Sequence, residues 1–418
     1  MAKIEALRWL SPEQVQEIAK KFSTPTFVYS ETEMRRRAKL AMAMPAPFGI
    51  TVRYAMKSSP YKAILQVFDS EGIHIDASSE FEAERAIAAG IEPGHISITT
   101  QELPNRLKEL VDQGVIFIAS SLHQLEAYGK LFPGQEASIR LNPGTGSGHN
   151  NRLSTGGVAA SFGIWHEHLD QVLALCEKYQ LKLVRMHTHI GTGTDPKAWA
   201  EVAHSNLNIV RKLKDVKIMN LGGGFKVGYM MGDKPTDLGE IGRAIEPELK
   251  RFAETDRRKL HIEIEPGKFL IANAGALVSR VDDVVDTGKE GFKFIKLDMG
   301  MTEFIRPSMY GAQHPIIIVS NRAEQYESYV VAGHCCETSD VLTTKYGDPE
   351  TIEPRLMQRA EIGDLAVIEV MGAHTSVFAC INYNSFPQAA EVMVRMDGSI
   401  DLIRRRQTMD EMLQFEKI

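Results

Sequence analysis

Ile50-Thr-Val-Arg-Tyr-Ala-Met-Lys57 is a short run of β-favouring residues that stops on a lysine. Seven similar runs follow: His74–Ser78, Ile96–Thr100, Phe117–Ser121, Ala137–Asn142, Leu183–His189, Ile218–Leu221 and Leu260–Glu265. Most are separated by stretches with apolar residues at three and four spacing, as in Tyr61–Ser70, Glu80–Ala89, His168–Tyr179, Ala198–Leu213 and Glu240–Glu254. Strand and helix alternating eight times predict an α/β fold, a closed TIM-like (β/α)8 barrel whose strands, buried on both faces, read as short apolar runs.

A barrel of this kind uses about 250 residues, fewer than the 418 of the chain, so a second domain is expected. After Pro266 the β-like runs Ala276–Val284, Phe292–Leu297, Pro315–Val319, Ser328–Ala332, Leu365–Met371 and Glu391–Val394 come without long helices, which predicts an antiparallel β domain. The longest insertion among the barrel runs, Pro143–Phe162, is rich in Gly, Asn, Ser and Thr. Long polar loops after barrel strands carry substrate or cofactor contacts about as often as they are decoration.

Hydrophobic residues make up 43% and charged residues 24%, with a formal net charge of -6 and interspersed signs. There is no basic footprint for nucleic acid or an anionic membrane, and a small-molecule partner is expected. No apolar run approaches the roughly 20 residues needed to span a bilayer. Met1–Leu10 carries Lys3, Glu5 and Arg8 in place of a signal-peptide core, so a cytoplasmic protein is expected. Cys176, Cys335, Cys336 and Cys380 are too few for a disulfide framework and lack zinc-knuckle spacing.

Active sites of such barrels lie at the carboxyl ends of the strands. Lys57, Asp76, Arg140, His189, Gly222–Gly224 and Glu265 all fall there. A lysine on a buried strand is paired, snorkelling or chemically used, and desolvation would leave its amine free to form a Schiff base. Three glycines after a strand let backbone N–H groups approach a phosphate, although many such turns are only turns. His189 would stack on a flat ring or serve as a structural histidine, while Thr192 would donate its hydroxyl to the same phosphate. Glu265 would keep a pyridine nitrogen protonated, or else sit in a buried salt bridge. His187-Thr-His189 also invites a metal-dependent hydrolase reading, but matching Asp and His ligands at later strand ends are missing, so no metal is expected.

Ala55-Met-Lys57, His187-Thr-His-Ile-Gly191, Gly222-Gly-Gly224, Glu265-Pro-Gly267, Arg306-Pro-Ser-Met-Tyr310, Cys336-Glu-Thr-Ser-Asp340 and Asn382-Tyr-Asn384 occur in this order. Together they resemble the alanine-racemase-fold pyridoxal-phosphate decarboxylases. The resemblance runs from about Thr26 to the tail, Leu402-Ile-Arg-Arg-Arg-Gln-Thr408. It implies pyridoxal 5′-phosphate as cofactor, a barrel over residues 28–275, and a β domain over 276–418 that also takes in 1–27. It further implies a homodimer with shared active sites, to which Cys336 and Glu337 of one chain would contribute in the other.

By the same resemblance Lys57 would be the Schiff-base lysine, His189 the ring-stacking residue and Glu265 the partner of the pyridine nitrogen. Thr192, Gly222, Gly223 and Gly224 would hold the phosphate, and Asp76 and Glu82 would support the lysine and histidine side. Gly267, Lys268, His374 and Tyr383 match further cofactor positions. Lys268, Arg306, Tyr310 and Glu337 match substrate contacts, and Cys336 would protonate the product carbon. An amino-acid substrate with a charged far end is implied, with meso-diaminopimelate giving L-lysine as the leading case. A related diamino or carboxy-polyamine substrate of specialised metabolism is the alternative, and a non-catalytic pyridoxal-phosphate-binding protein a more distant one. Four positions depart from the family pattern: Lys268 stands for an Arg, His374 for a Tyr, Ser161 for a Lys, and His334-Cys335 for Pro-Leu. A lysine's point charge does not reproduce the planar fork of an arginine.

Overall fold

The computed structural model describes residues 4–144, 157–158, 160–189, 193–323 and 325–417. It divides into two compact units, one of residues 1–34, 227–233 and 271–418, the other of 35–226 and 234–270.

The second unit contains the barrel. Its strands are Ile50–Ala55, His74–Ala77, Ile96–Ile98, Ile116–Ala119, Glu136–Asn142, Lys182–Thr188, Ile218–Asn220 and His261–Ile264. Each pairs in parallel with the next, and the eighth closes on the first with Ile262 opposite Ile50. All eight stand within two residues of the ends read from the sequence. Capping residues mark where helices start, close behind the second and fourth strands and after a longer loop behind the seventh. Ser79, Ser121 and Asp237 accept N–H bonds from Glu82 at 3.1 Å, Gln124 at 3.1 Å and Glu240 at 3.0 Å.

Alternation along the strands buries both faces differently. Val52, Tyr54, Met186, Ile262 and Ile264 are completely buried apolar side chains. Their neighbours Arg53, Arg185 and Glu263 form a charged layer inside the barrel. Arg53 Nη2 donates to Glu263 Oε1 at 3.0 Å, and Arg185 Nε donates to Glu263 Oε2 at 2.9 Å. The interior of this barrel is therefore held by paired charge as well as by branched aliphatic packing.

In the first unit, the sheet runs Arg355–Gln358, Tyr326–Ala332, Lys293–Leu297, Gly275–Asp286, Thr26–Ser30, Ala390–Val394, Ile400–Arg404. Leu365–Glu369 also pairs with Gly275–Asp286, and carries Ile316–Val319 on its other edge. The sheet is mainly antiparallel, but two pairings are parallel: Thr26–Ser30 with Ala390–Val394, and Lys293–Leu297 with Tyr326–Ala332. The first of these follows from an N-terminal strand inserted between Gly275–Asp286 and Ala390–Val394, where it must run along one neighbour and against the other. Helix Pro12–Phe22, capped reciprocally by Ser11 and Gln14, adds Val15 and Ile18 to a core with Val28, Val278, Val367 and Val392. Gly275 and Gly372 touch backbone to backbone. A Cβ on Gly275 would lie 2.3 Å from Gly372 Cα, and one on Gly372 would lie 1.9 Å from Ile271 O.

Glu369 is completely buried in this unit, with Oε1 accepting the Arg8 N–H at 3.1 Å and Oε2 unpaired. Burial pushes its carboxyl up to about 7, against the Arg8 N–H bond and charge. Burial likewise raises Glu303 to about 7. Native carboxyls of this kind keep a proton that the unfolded chain has lost above about pH 4. Their contribution is thus whole below the unfolded pKa and is lost as pH rises toward 7. A urea titration of Glu369→Gln should match the wild type near pH 4 and be the more stable protein at pH 8, with a residual slope from Glu303. A wild-type midpoint that rises between pH 5 and pH 8 in parallel with the variant's would contradict this account.

Candidate active site

Strands one and eight are neighbours, so their carboxyl ends place two of the predicted residues on one rim. Lys57 lies in the short helical turn Met56–Ser58 that follows Ile50–Ala55. It is exposed, whereas a desolvated strand lysine was expected. The turn lifts the side chain beyond the buried part of the strand, so protein burial alone does not desolvate the amine. Glu265, directly after His261–Ile264, is buried. The turn after it packs tightly: a Cβ on Gly267 would lie 2.3 Å from Ser58 Oγ and 3.3 Å from Ala55 Cβ. A glycine at 267 is what lets the Glu265 turn and the Lys57 turn approach so closely.

The glycine turn after Ile218–Asn220 closes on the ends of the sixth and eighth strands. A Cβ on Gly222 would lie 2.4 Å from His189 Nδ1, and one on Gly223 would lie 2.3 Å from Glu265 O. The Gly222 N–H donates to Asn220 Oδ1 at 2.8 Å and the Gly223 N–H donates to His189 Nδ1 at 2.9 Å. Two of the three glycine N–H groups are thus spent inside the protein, a change from the reading in which all three face a phosphate. Their main service here is close approach: they fix the His189 ring with Nδ1 as an acceptor, which makes Nε2 the protonated nitrogen of the neutral ring. Thr192 lies outside the described residues, as does most of the polar insertion 143–162.

The electrostatics of this rim separate its acids. Glu265 accepts from Asn220 Nδ2 at 2.6 Å, and its Oε2 lies 3.1 Å from Nε2 of completely buried His187, at an angle poor for a hydrogen bond. Burial pushes its carboxyl up, but His187 and Arg140 hold it below the usual range, so it is an anion. Asp76 goes the other way. Burial and the Glu265 charge raise it well above the usual range despite Lys57, and its Oδ1 is buried without a partner. Burial, aided by the charges of Arg140 and Lys57, lowers His189 well below 6.5, so its ring is neutral. Arg140 stacks its guanidinium 3.8 Å from the Phe162 ring, and burial brings it down to about 10. Glu82 accepts the Ser78 N–H at 2.6 Å in a helix cap and is raised by burial. Lys268 is half-buried at the start of helix Lys268–Ile271.

An exposed amine, a buried carboxylate, a neutral imidazole and a glycine turn suit the carbonyl, ring nitrogen, ring face and phosphate of pyridoxal phosphate. Glu265 also joins His187 and His189 in a group whose ligand atoms lie within 4.8 Å of one another, enough to grip a metal ion. Gly223 occupies His189 Nδ1 and Asn220 occupies Glu265 Oε1, so only the other atoms of these side chains could serve a metal. Sequence reasoning missed Asn220, Arg53, Arg185 and Glu263. Their signal was polar residues spaced two apart, as in Arg185-Met-His187 and Glu263-Ile-Glu265, on strands read as apolar throughout.

The other predicted residues belong to the first unit. Arg306 opens helix Arg306–Tyr310, and its Nη1 donates to Tyr229 Oη at 2.9 Å. Tyr310 is exposed. Cys336 is exposed, with its N–H bonded to Asn384 Oδ1 at 2.9 Å. Its neighbour Cys335 is partly covered, and burial and Asp340 push its thiol up to about 12. Of the two thiols, Cys336 is the accessible one. Tyr383 is raised by burial and by the Glu337 charge beside it. His374 is half-buried with a positive φ of 55°.

Residues 32–272 match the family model described as pyridoxal-dependent decarboxylase, pyridoxal binding domain. The diaminopimelate decarboxylase of Streptomyces coelicolor is 35% identical over 406 residues, covering 94% of this chain and 90% of its own. That of Escherichia coli K12 is 32% identical over 418 residues, covering 97% of each. A crystal structure of diaminopimelate decarboxylase superposes with a TM-score of 0.90 at 31% identity, over 97% of both chains.

Proposed function

The chain belongs to the pyridoxal-dependent decarboxylases, and on that premise we propose that it converts meso-diaminopimelate to L-lysine and carbon dioxide. The observation that carries the reading is the pairing, on adjacent strand ends, of exposed Lys57 with a Glu265 held as an anion. Bound pyridoxal phosphate supplies a ring that accepts the electron pair left when a carboxylate departs as carbon dioxide.

The residues divide the remaining work. Lys57 Nζ, an exposed amine, would hold the cofactor through its carbonyl and act as the nucleophile there. Anionic Glu265 would hold a proton on the ring nitrogen, and neutral His189 would pack on the ring face without competing for it. By the family resemblance Gly224, Thr192, Gly267, Lys268, His374 and Tyr383 would contact the cofactor, with Asp76 and Glu82 supporting the lysine and histidine side. Arg306, Tyr310 and Glu337 select the charged far end of the substrate, because a carboxylate and an ammonium each need a charged partner there. The Cys336 thiol returns a proton to the carbon that lost its carboxylate. We place these steps in a cytoplasmic homodimer with shared sites; among the described residues no helix is long and apolar enough to cross a membrane.

Lys268 and His374, which replace an Arg and a Tyr of the family pattern, favour a second reading in which a related diamino or carboxy-polyamine acid is the substrate. Carbon dioxide release across meso-diaminopimelate, ornithine, lysine, arginine and carboxynorspermidine decides between them. Meso-diaminopimelate should give the highest kcat/KM by at least about tenfold, the effect of one charged contact worth about 1.4 kcal/mol. Turnover of another of these acids with none of diaminopimelate would transfer the assignment to that substrate.

A further inference from the structure

We propose that Asn220 is a positioning residue that sets both the Glu265 carboxylate and the glycine turn, and fastens them to the charged layer inside the barrel. The inference deepens the proposed function and rests on its pyridoxal-phosphate reading.

Asn220 ends the seventh strand and is completely buried. Its orientation follows from its partners. The Gly222 N–H can only donate, so it fixes Oδ1 at 2.8 Å. Nδ2 therefore faces two carboxylates, Glu265 Oε1 at 2.6 Å and Glu263 Oε2 at 3.3 Å, which accept. The Glu265 N–H in turn donates to Gly222 O at 2.8 Å. Side chain, carboxylate and glycine thus form a closed ring of three hydrogen bonds: Asn220 to Glu265, Glu265 to Gly222, Gly222 to Asn220. The next glycine extends the chain to the ring-stacking residue, because the Gly223 N–H holds His189 Nδ1. Below, Glu263 carries Arg53 and Arg185. One amide side chain thus joins the group that faces the cofactor's nitrogen, the turn near its phosphate, and the paired charges beneath.

Few side chains can do both jobs. Leucine has similar volume but would leave the Gly222 N–H and one Glu265 oxygen unpaired in a buried site. Aspartate would still accept from Gly222. Toward Glu265 and Glu263 it would donate only while protonated, and once ionised it would repel both. The other charged or titratable groups that act on Glu265 are His187, His189, Arg140 and Asp76.

Two variants separate the roles. In Asn220→Leu, hydrogen exchange at the Gly222 amide of the cofactor-free protein should accelerate, and the pyridoxal phosphate Kd should rise about 10- to 100-fold, as for other outer partners of a ligand set. In Asn220→Asp, Gly222 should stay protected, while kcat should stand near wild type at low pH and fall as pH rises through the new carboxyl's pKa. Wild-type Gly222 exchange in Asn220→Leu would overturn the anchoring role. A kcat profile in Asn220→Asp with wild-type shape and height would overturn the donor role. If the wild-type protein bound no pyridoxal phosphate, the proposed function would fail by itself, and Gly222 exchange would still decide the anchoring.

Discussion

Replacing Lys57 with alanine should lower kcat by about 10⁴-fold, the loss of a nucleophile that also carries protons. The effect should be chemical and not structural. Lys57 is exposed on a short turn, so shortening it opens no cavity in the packed barrel. The variant should unfold with the wild-type urea midpoint, bind pyridoxal phosphate more loosely, and lose the yellow absorbance of the cofactor joined to protein. Activity within tenfold of wild type, or an unchanged visible spectrum, would remove Lys57 from the reaction.

The second large effect is on stability. Glu263→Leu should cost about 3–5 kcal/mol, the usual penalty for breaking a buried ion pair by removing one partner. Arg53 and Arg185 would be left as two cations inside the barrel, both less than one-tenth exposed, with Glu263 the acid that both contact. Asn220 would lose one of the two carboxylates it holds, so cofactor affinity should fall as well. Urea unfolding followed by a barrel fluorophore measures the first, and cofactor titration the second. A loss below about 1 kcal/mol, the range of surface pairs, would show that the two arginines find other partners or water.

The barrel was legible because its strands read as short apolar runs separated by stretches with helical spacing. The position of Lys57, Asp76, His189, Gly222–Gly224 and Glu265 at the strand ends was legible because strand ends converge in such a fold. What could not be read were properties set by neighbours distant in sequence. Asp76 is pushed toward its neutral form and Glu265 toward its anion by the different company each keeps. Asn220 looked like the ordinary end of a short strand, and its two carboxylate partners are 43 and 45 residues away. The N-terminal strand Thr26–Ser30 was missed as a strand because only its neighbours Gly275–Asp286 and Ala390–Val394 give it a sheet to join.

The backbone contact of Gly275 with Gly372 has an evolutionary meaning. With neighbouring backbone inside the space of either Cβ, neither position can drift to another residue without parting the strand from the loop. Gly372 stands two residues before His374, and between them lies completely buried Ala373. The Cα of residue 374 is therefore moored, and exchange of a tyrosine for a histidine there alters which chemical group is displayed while its point of origin stays put.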